Sequence, residues 1–155
     1  MNQYTELLRY IKLLGERDPY INTILKGTAI DLNKIDIYPL LNIVIDSGSF
    51  PSEGTILFSV ELECVSIRDI NKEVVTDKFW EQDNEVDNHN ETLATLNRIW
   101  RTMNRDFNDN NITASSNPSI EKITGEKTNY VDGWSMSFDV EMPNVEVDLC
   151  ADLLC

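Results

Sequence analysis

Between Tyr4 and Leu14 the apolar residues Tyr4, Leu7, Leu8, Ile11 and Leu14 recur three and four apart, the spacing that places side chains on one face of an α-helix. Gly15 then offers the left-handed residue with which many helices end. Asp18-Pro19 turns the chain, because the residue before proline is pushed out of the helical region. Tyr20 to Leu25 resumes as a short β-rich strand closed by Gly27. From Ile37 to Ile45 the run is almost continuously apolar and β-branched, which suits a strand buried on both faces, with Pro39 at its start. The stretch 46–54 reads as a long loop. Strict alternation returns from Thr55 to Ile67, with Ile56, Phe58, Val60, Leu62 and Cys64 on one face and Thr55, Ser59, Glu61 and Glu63 largely on the other. The two strands are expected to form a long antiparallel hairpin.

Residues 69–90 are rich in acids and amides and end in good helix N-cap candidates. After them His89, Leu93, Leu96, Trp100, Met103 and Phe107 step by four and three, with Ile99 widening the stripe. This predicts a helix over 89–107, about 30 Å long, lying across the sheet. Asn108-Asp109-Asn110-Asn111 stops it. Short strands are predicted over 112–116 and 120–127, broken by Asn117-Pro118-Ser119. From Val131 to Met142 the alternation is clean, with Trp134, Met136, Phe138, Val140 and Met142 on one side and Ser135, Ser137, Asp139 and Glu141 on the other. The last residues, 145–155, are too few and too acidic to form a core of their own, yet keep alternating apolar positions, so they are expected to lie on another surface. The pattern is α+β: an antiparallel sheet of 37–45, 55–67 and 131–142, packed by one long amphipathic helix plus an N-terminal helix. We read residues 1–144 as one domain and 145–155 as an extension for contacts between subunits or rings.

Composition narrows the function. The chain has 155 residues, 27 acids against 13 bases, and a formal charge of −14 spread along its length. Duplex DNA binding needs a basic stripe; the local bases Arg98, Arg101 and Arg105 sit among acids and amides on the long helix, where a solvated face or salt bridges explain them. No apolar run approaches the ~20 residues that cross a bilayer, and the N-terminus lacks signal-peptide character, so a membrane is not expected and synthesis in a cytoplasm is. Cys64, Cys150 and Cys155 have no metal-ligand spacing and read as reduced thiols, Cys64 as a buried strand residue.

Candidate chemistry is thin, and an enzyme is not expected. Asp83, Glu85, Asp87 and His89 alternate in one acidic loop and are weak candidates for holding calcium or magnesium, but the glycine and closing glutamate of an EF-hand are missing. His89 is the one histidine, and its place on the apolar stripe suits a core or cap role. Glu61 and Glu63 have the look of a carboxylate dyad, yet alternation puts both on a wet face. No phosphate-binding glycine loop, nucleophile elbow or Cys-His pair is present, and no cofactor is expected. Trp80, Trp100 and Trp134 suit core and interface packing better than base stacking.

The order of segments resembles a known family. Ile21-Asn22-Thr23-Ile24, Gly27, Asp31-Leu32-Asn33-Lys34 and the run Ile37–Ile45 look like the N-terminal part of phage tail-completion proteins. The acidic loop leading into Asn90-Glu91-Thr92-Leu93 and the closing strand Trp134–Asn144 are similar too, so the likeness extends to about residue 144. The resemblance is to the tail-terminator and tail-completion proteins of tailed bacteriophages. It implies a virion protein, made in a bacterial host, that forms a homo-oligomeric ring, hexamer or dodecamer, at the head-tail junction. Its partners would be further copies of itself and portal, adaptor or tail-tube proteins, and genomic DNA would pass through without specific binding. It implies no catalytic residues. Interface candidates are Phe50 in the 46–54 segment, Trp80 in the 69–88 loop, and Val145, Val147, Leu149, Leu153 and Leu154 in the tail. Rival readings are another neck component (adaptor or stopper), an acidic inhibitor or nucleic-acid mimic, and a small metal-dependent hydrolase using the loop carboxylates and His89.

Overall fold

A computed structural model describes residues 2–27, 37–69, 84–126 and 130–145. The Asn2 side chain caps the first helix by accepting a hydrogen bond from the Tyr4 N–H at 2.9 Å. This helix, α1 (Gln3–Arg17), buries Leu7, Ile11 and Leu14 as its spacing requires, with Tyr10 beside them, while Tyr4 and Leu8 are half-buried. It also runs through Gly15, so the left-handed stop expected there is not what this glycine supplies. A Cβ on Gly15 would come within 2.8 Å of Ile24 Cδ1 and 2.9 Å of Leu41 Cδ2; the missing side chain lets the helix close onto the sheet. The helix stops at Asp18, which is extended, precedes Pro19, and accepts the Tyr20 N–H through Oδ1 at 2.9 Å.

Six strands form one mixed sheet: β1 (Thr23–Lys26), β2 (Leu40–Ser52), β3 (Thr55–Ile67), β4 (Thr113–Ala114), β5 (Ser119–Glu126) and β6 (Val131–Pro143). The second helix, α2 (Glu85–Asp109), lies between β3 and β4 in sequence. The strand order is β1-β2-β3-β6-β4, with β5 also paired to β6, so β4 and β5 share the outer side of β6. The sheet is not wholly antiparallel as expected, because β1 runs parallel to β2, Thr23 opposite Leu40 and Lys26 opposite Ile43. Residues 27–39 separate the two strands, about the dozen that a parallel connection needs and far more than a hairpin turn. All other pairings are antiparallel.

The expected loop 46–54 is mostly strand. β2 continues to Ser52 and pairs with β3 from Leu40↔Val65 to Ser52↔Thr55, with irregularities at Asp46 and at Phe50-Pro51. Pro51 thus sits where the ladder is interrupted and no N–H is demanded. Every residue from Asp46 to Gly54 is exposed. An arm wet on both faces has no apolar alternation, which is why its glycine, serine and proline content reads as a loop.

The two helices cover one face of the sheet. Leu7, Tyr10, Ile11 and Leu14 from α1 and Leu96, Ile99, Met103 and Phe107 from α2 join Leu41, Ile43, Phe58, Val60, Leu62, Cys64, Met136, Phe138, Val140 and Met142 in one core. A smaller cluster of Tyr38, Leu40, Val65 and Val131 occupies one end of the opposite face. α2 begins four residues before the predicted stripe, because Glu85–Asn88 supply its first turn. Among the described residues no helix is long and apolar enough to cross a membrane.

Candidate functional site

At one end of the sheet the start of α2 is bolted to β3, β5 and β6 by a buried ion network. Asp132, fully buried, accepts the Arg68 guanidinium through both oxygens, Nε at 2.8 Å and Nη2 at 2.6 Å, and the Gly125 N–H at 2.9 Å. The same Nη2 lies 3.0 Å from Glu85 Oε2, and Lys122 Nζ lies 3.8 Å from Glu85 Oε1. Asn84 and Asn88 both donate to the Ile67 carbonyl, tying the end of β3 to the helix. His89 is buried with Nε2 at 2.9 Å from the Ile123 carbonyl; a carbonyl only accepts, so Nε2 carries the proton. Its own carbonyl accepts the Trp134 indole N–H at 3.0 Å, and the two rings meet edge to face at 6.2 Å.

This geometry corrects the acidic-loop reading. Glu85, Asp87 and His89 lie on α2, not on a loop, and Asp87 is exposed on the other side of the helix. Asp83 lies outside the described residues. The fold instead brings Glu85 and His89, one turn apart, against Asp132, with ligand-type atoms within 4.8 Å of one another. The Arg68 guanidinium already bridges Asp132 and Glu85, supplying the positive charge these carboxylates need. Asp132 does not stand out in the sequence because it reads as one more polar position at the start of a strand. The arrangement is a structural clamp. Burial alone would raise the Asp132 carboxyl, but hydrogen bonds from Arg68 and Gly125, with the charges of Arg68 and His89, hold it below its ordinary value.

The sheet face away from the helices carries a second arrangement. Glu61 and Glu63 both lie there, as the alternation predicts, and Asn42 Nδ2 donates to Glu63 Oε2 at 2.8 Å. Burial, then the carboxylates of Glu63, Asp46 and Glu121, raise the Glu61 carboxyl above its ordinary value. Beside it an open cleft of about 400 Å³ is lined by Asp46, Glu61, Asp139, Ser59, Ser119 and Ser137, among others, with Ser59 Oγ donating to Asp139 Oδ1 at 2.8 Å. Its described lining is carboxyls, hydroxyls and an amide, with Val60 and Phe138 among them. No family model and no curated protein matches the chain. Asp46, Glu61, Glu63, Glu121 and Asp139, most of them far apart in sequence, are neighbours on this face.

Two of the three arginines of α2 are paired within the chain. Arg98 forks onto Asp18, Nε at 2.8 Å and Nη2 at 3.0 Å, and Arg105 Nε lies 3.1 Å from Asp106 Oδ1, whose other oxygen accepts the Tyr10 hydroxyl at 2.7 Å. Burial opposes ionisation of Asp18, but Arg98 and the Tyr20 N–H outweigh it and keep its carboxyl below the usual range. Arg101 is exposed. Trp100 stacks edge to face on Phe138 at 5.2 Å, the packing role expected for it.

Cys64 is fully buried and free. Burial foremost, then the Asp18 carboxylate, push its thiol up to about 12 against the opposing charge of Arg98. In a chain carrying Cys150→Ser and Cys155→Ser, Cys64 is expected to resist a soluble disulfide reagent at pH 8 and to react within seconds to minutes once urea unfolds the protein. Prompt reaction of the folded protein would contradict this burial.

Of the interface candidates, two can be placed. Phe50, on the β2–β3 arm, is 70% exposed, and Val145, just past β6, is 61% exposed with its carbonyl accepting from Gln3 Nε2 at 2.9 Å. Trp80, Val147, Leu149, Leu153 and Leu154 lie outside the described residues, as do Cys150 and Cys155.

Proposed function

We propose that the chain is a structural subunit of a homo-oligomeric ring at the head-tail junction of a tailed bacteriophage, acting as a tail terminator or tail-completion protein. The β2–β3 arm carries this reading. β1 covers the outer edge of β2 only from Leu40 to Ile43, so among the described residues Val44 to Ser52 offer an unpaired strand edge with Phe50 exposed upon it. Such edges accept a second chain unless they are blunted, and a repeated head-to-tail contact closes a ring where the rotation permits. The acidic sheet face around Glu61 supports the same reading, since a negative wall repels phosphate and lets DNA slide past.

That acidic face also favours a second reading, an inhibitor that mimics nucleic acid and occupies a basic partner's site. Solution mass separates the two. Light scattering of the full chain is expected to show a species several times the 17.8 kDa monomer, and deletion of residues 145–155 to shrink it. A monomer that captures a basic nucleic-acid-binding partner would favour the mimic.

A further inference from the structure

We infer that neighbouring copies join head to tail by seating Phe50 of one copy in the trough between α2 and β5 of the next. The inference rests on the ring reading above and names the surfaces that meet. The trough, of about 550 Å³, is lined by Leu93, Ala94, Asn97, Trp100, Pro118 and Ile120, among others. It is open and mostly apolar, a shape that takes an aromatic anchor. Ile120 at its rim is 47% exposed and Phe50 is 70% exposed, on opposite sides of the sheet.

Their positions exclude pairing within one copy. Phe50 is on β2 and Ile120 on β5, with β3 and β6 between them, three strand spacings of about 4.8 Å each. A knob on one edge and a hole on the other define a heterologous contact, which repeats from copy to copy. Charge agrees with this partner. The arm carries Asp46 and Glu53, while the exposed Arg101, one turn beyond Asn97, flanks the trough. In a chain of net charge −14, an exposed arginine beside an apolar trough suits the acidic arm of a second copy.

The test uses two full-length variants, each spoiling one surface at an exposed position. Phe50→Asp removes the knob; Ala94→Arg fills the trough with a residue that α2 tolerates. Circular dichroism melts check that both fold. In sedimentation velocity each variant alone is expected to be monomeric at concentrations where wild type is assembled, its self-association weakened more than about thirtyfold. Mixed one to one, they are expected to form a heterodimer and nothing larger, because one knob and one trough survive between them. An assembled wild type whose size Phe50→Asp leaves unchanged overturns this pairing alone. Variants that are both monomeric but stay so when mixed also overturn it. A wild type that is itself monomeric overturns the ring reading and the pairing with it.

Discussion

Gly133→Val is expected to abolish folding. Gly133 lies within β6 directly opposite Val65 of β3, with Ile123 of β5 on its other side. A Cβ there would overlap the Cys64 carbonyl oxygen and lie 2.8 Å from Val65 Cα and 2.9 Å from the Cys64 carbonyl carbon. These are backbone atoms of the strand next door, and they cannot move without parting the β3–β6 ladder, which pairs every residue from Thr55 to Ile67 with a partner on β6. The expected loss exceeds about 4 kcal/mol, most of the ~5–15 kcal/mol that holds a domain together. Urea denaturation of any soluble fraction measures it. Gly54→Ala is the control: nothing lies within 4 Å of its Cβ position, and its midpoint is expected to stay within about 0.5 kcal/mol of wild type. A folded Gly133→Val with an unchanged midpoint would contradict the β3–β6 register.

Asp132→Ala is expected to cost about 3 kcal/mol, because removing one partner of a buried, hydrogen-bonded pair leaves the other charge poorly compensated. Here Arg68, whose side chain is only 15% exposed, loses its two-pronged partner and keeps Glu85, and the Gly125 N–H loses its acceptor. At roughly 2–4 °C per kcal/mol for a chain of this size, the melting temperature is expected to fall by about 6–12 °C. The pH dependence has a defined sign. The folded carboxyls of Asp132 and Asp18 lie below their ordinary values, so their contribution is fully present above the unfolded aspartate value of about 3.9. It is lost as pH falls from there through the folded values. Wild type should therefore lose stability steeply below about pH 4, and Asp132→Ala should lose less over the same interval. Parallel melting curves for the two proteins would contradict the placement of Asp132 in an ion pair.

Much of this architecture is legible in the chain. The alternation at 55–67 and 131–142 marks two of the central strands because one face of each meets the helices, and the stripe from His89 to Phe107 marks α2 for the same reason. Three features are hidden for physical causes. The arm over 46–52 has no buried face, so it leaves no period to read. The parallel placement of β1 follows from where the chain returns, which local propensity does not encode. Gly15 carries a packing requirement from Ile24 and Leu41 that looks, in sequence, like a helix terminator.

The site was less legible than the fold. His89 and Glu85 stood out as acid-rich chemistry, but Asp132 and Arg68, distant in sequence, turn that chemistry into a clamp. Only the fold shows that Glu61, Glu63, Asp46 and Glu121 share one field, as the raised Glu61 carboxyl records. Phe50 stands out as an interface candidate by position alone; the trough proposed to receive it joins residues from α2 and the β4–β5 region that no linear pattern connects.

Native mass spectrometry of the purified full-length chain tests the proposed ring most directly. A closed ring predicts one dominant multiple of 17.8 kDa, constant across concentrations above assembly, because closure leaves no free knob or trough to extend. A bare 17.8 kDa monomer at every concentration, or an open ladder of all multiples, would contradict it.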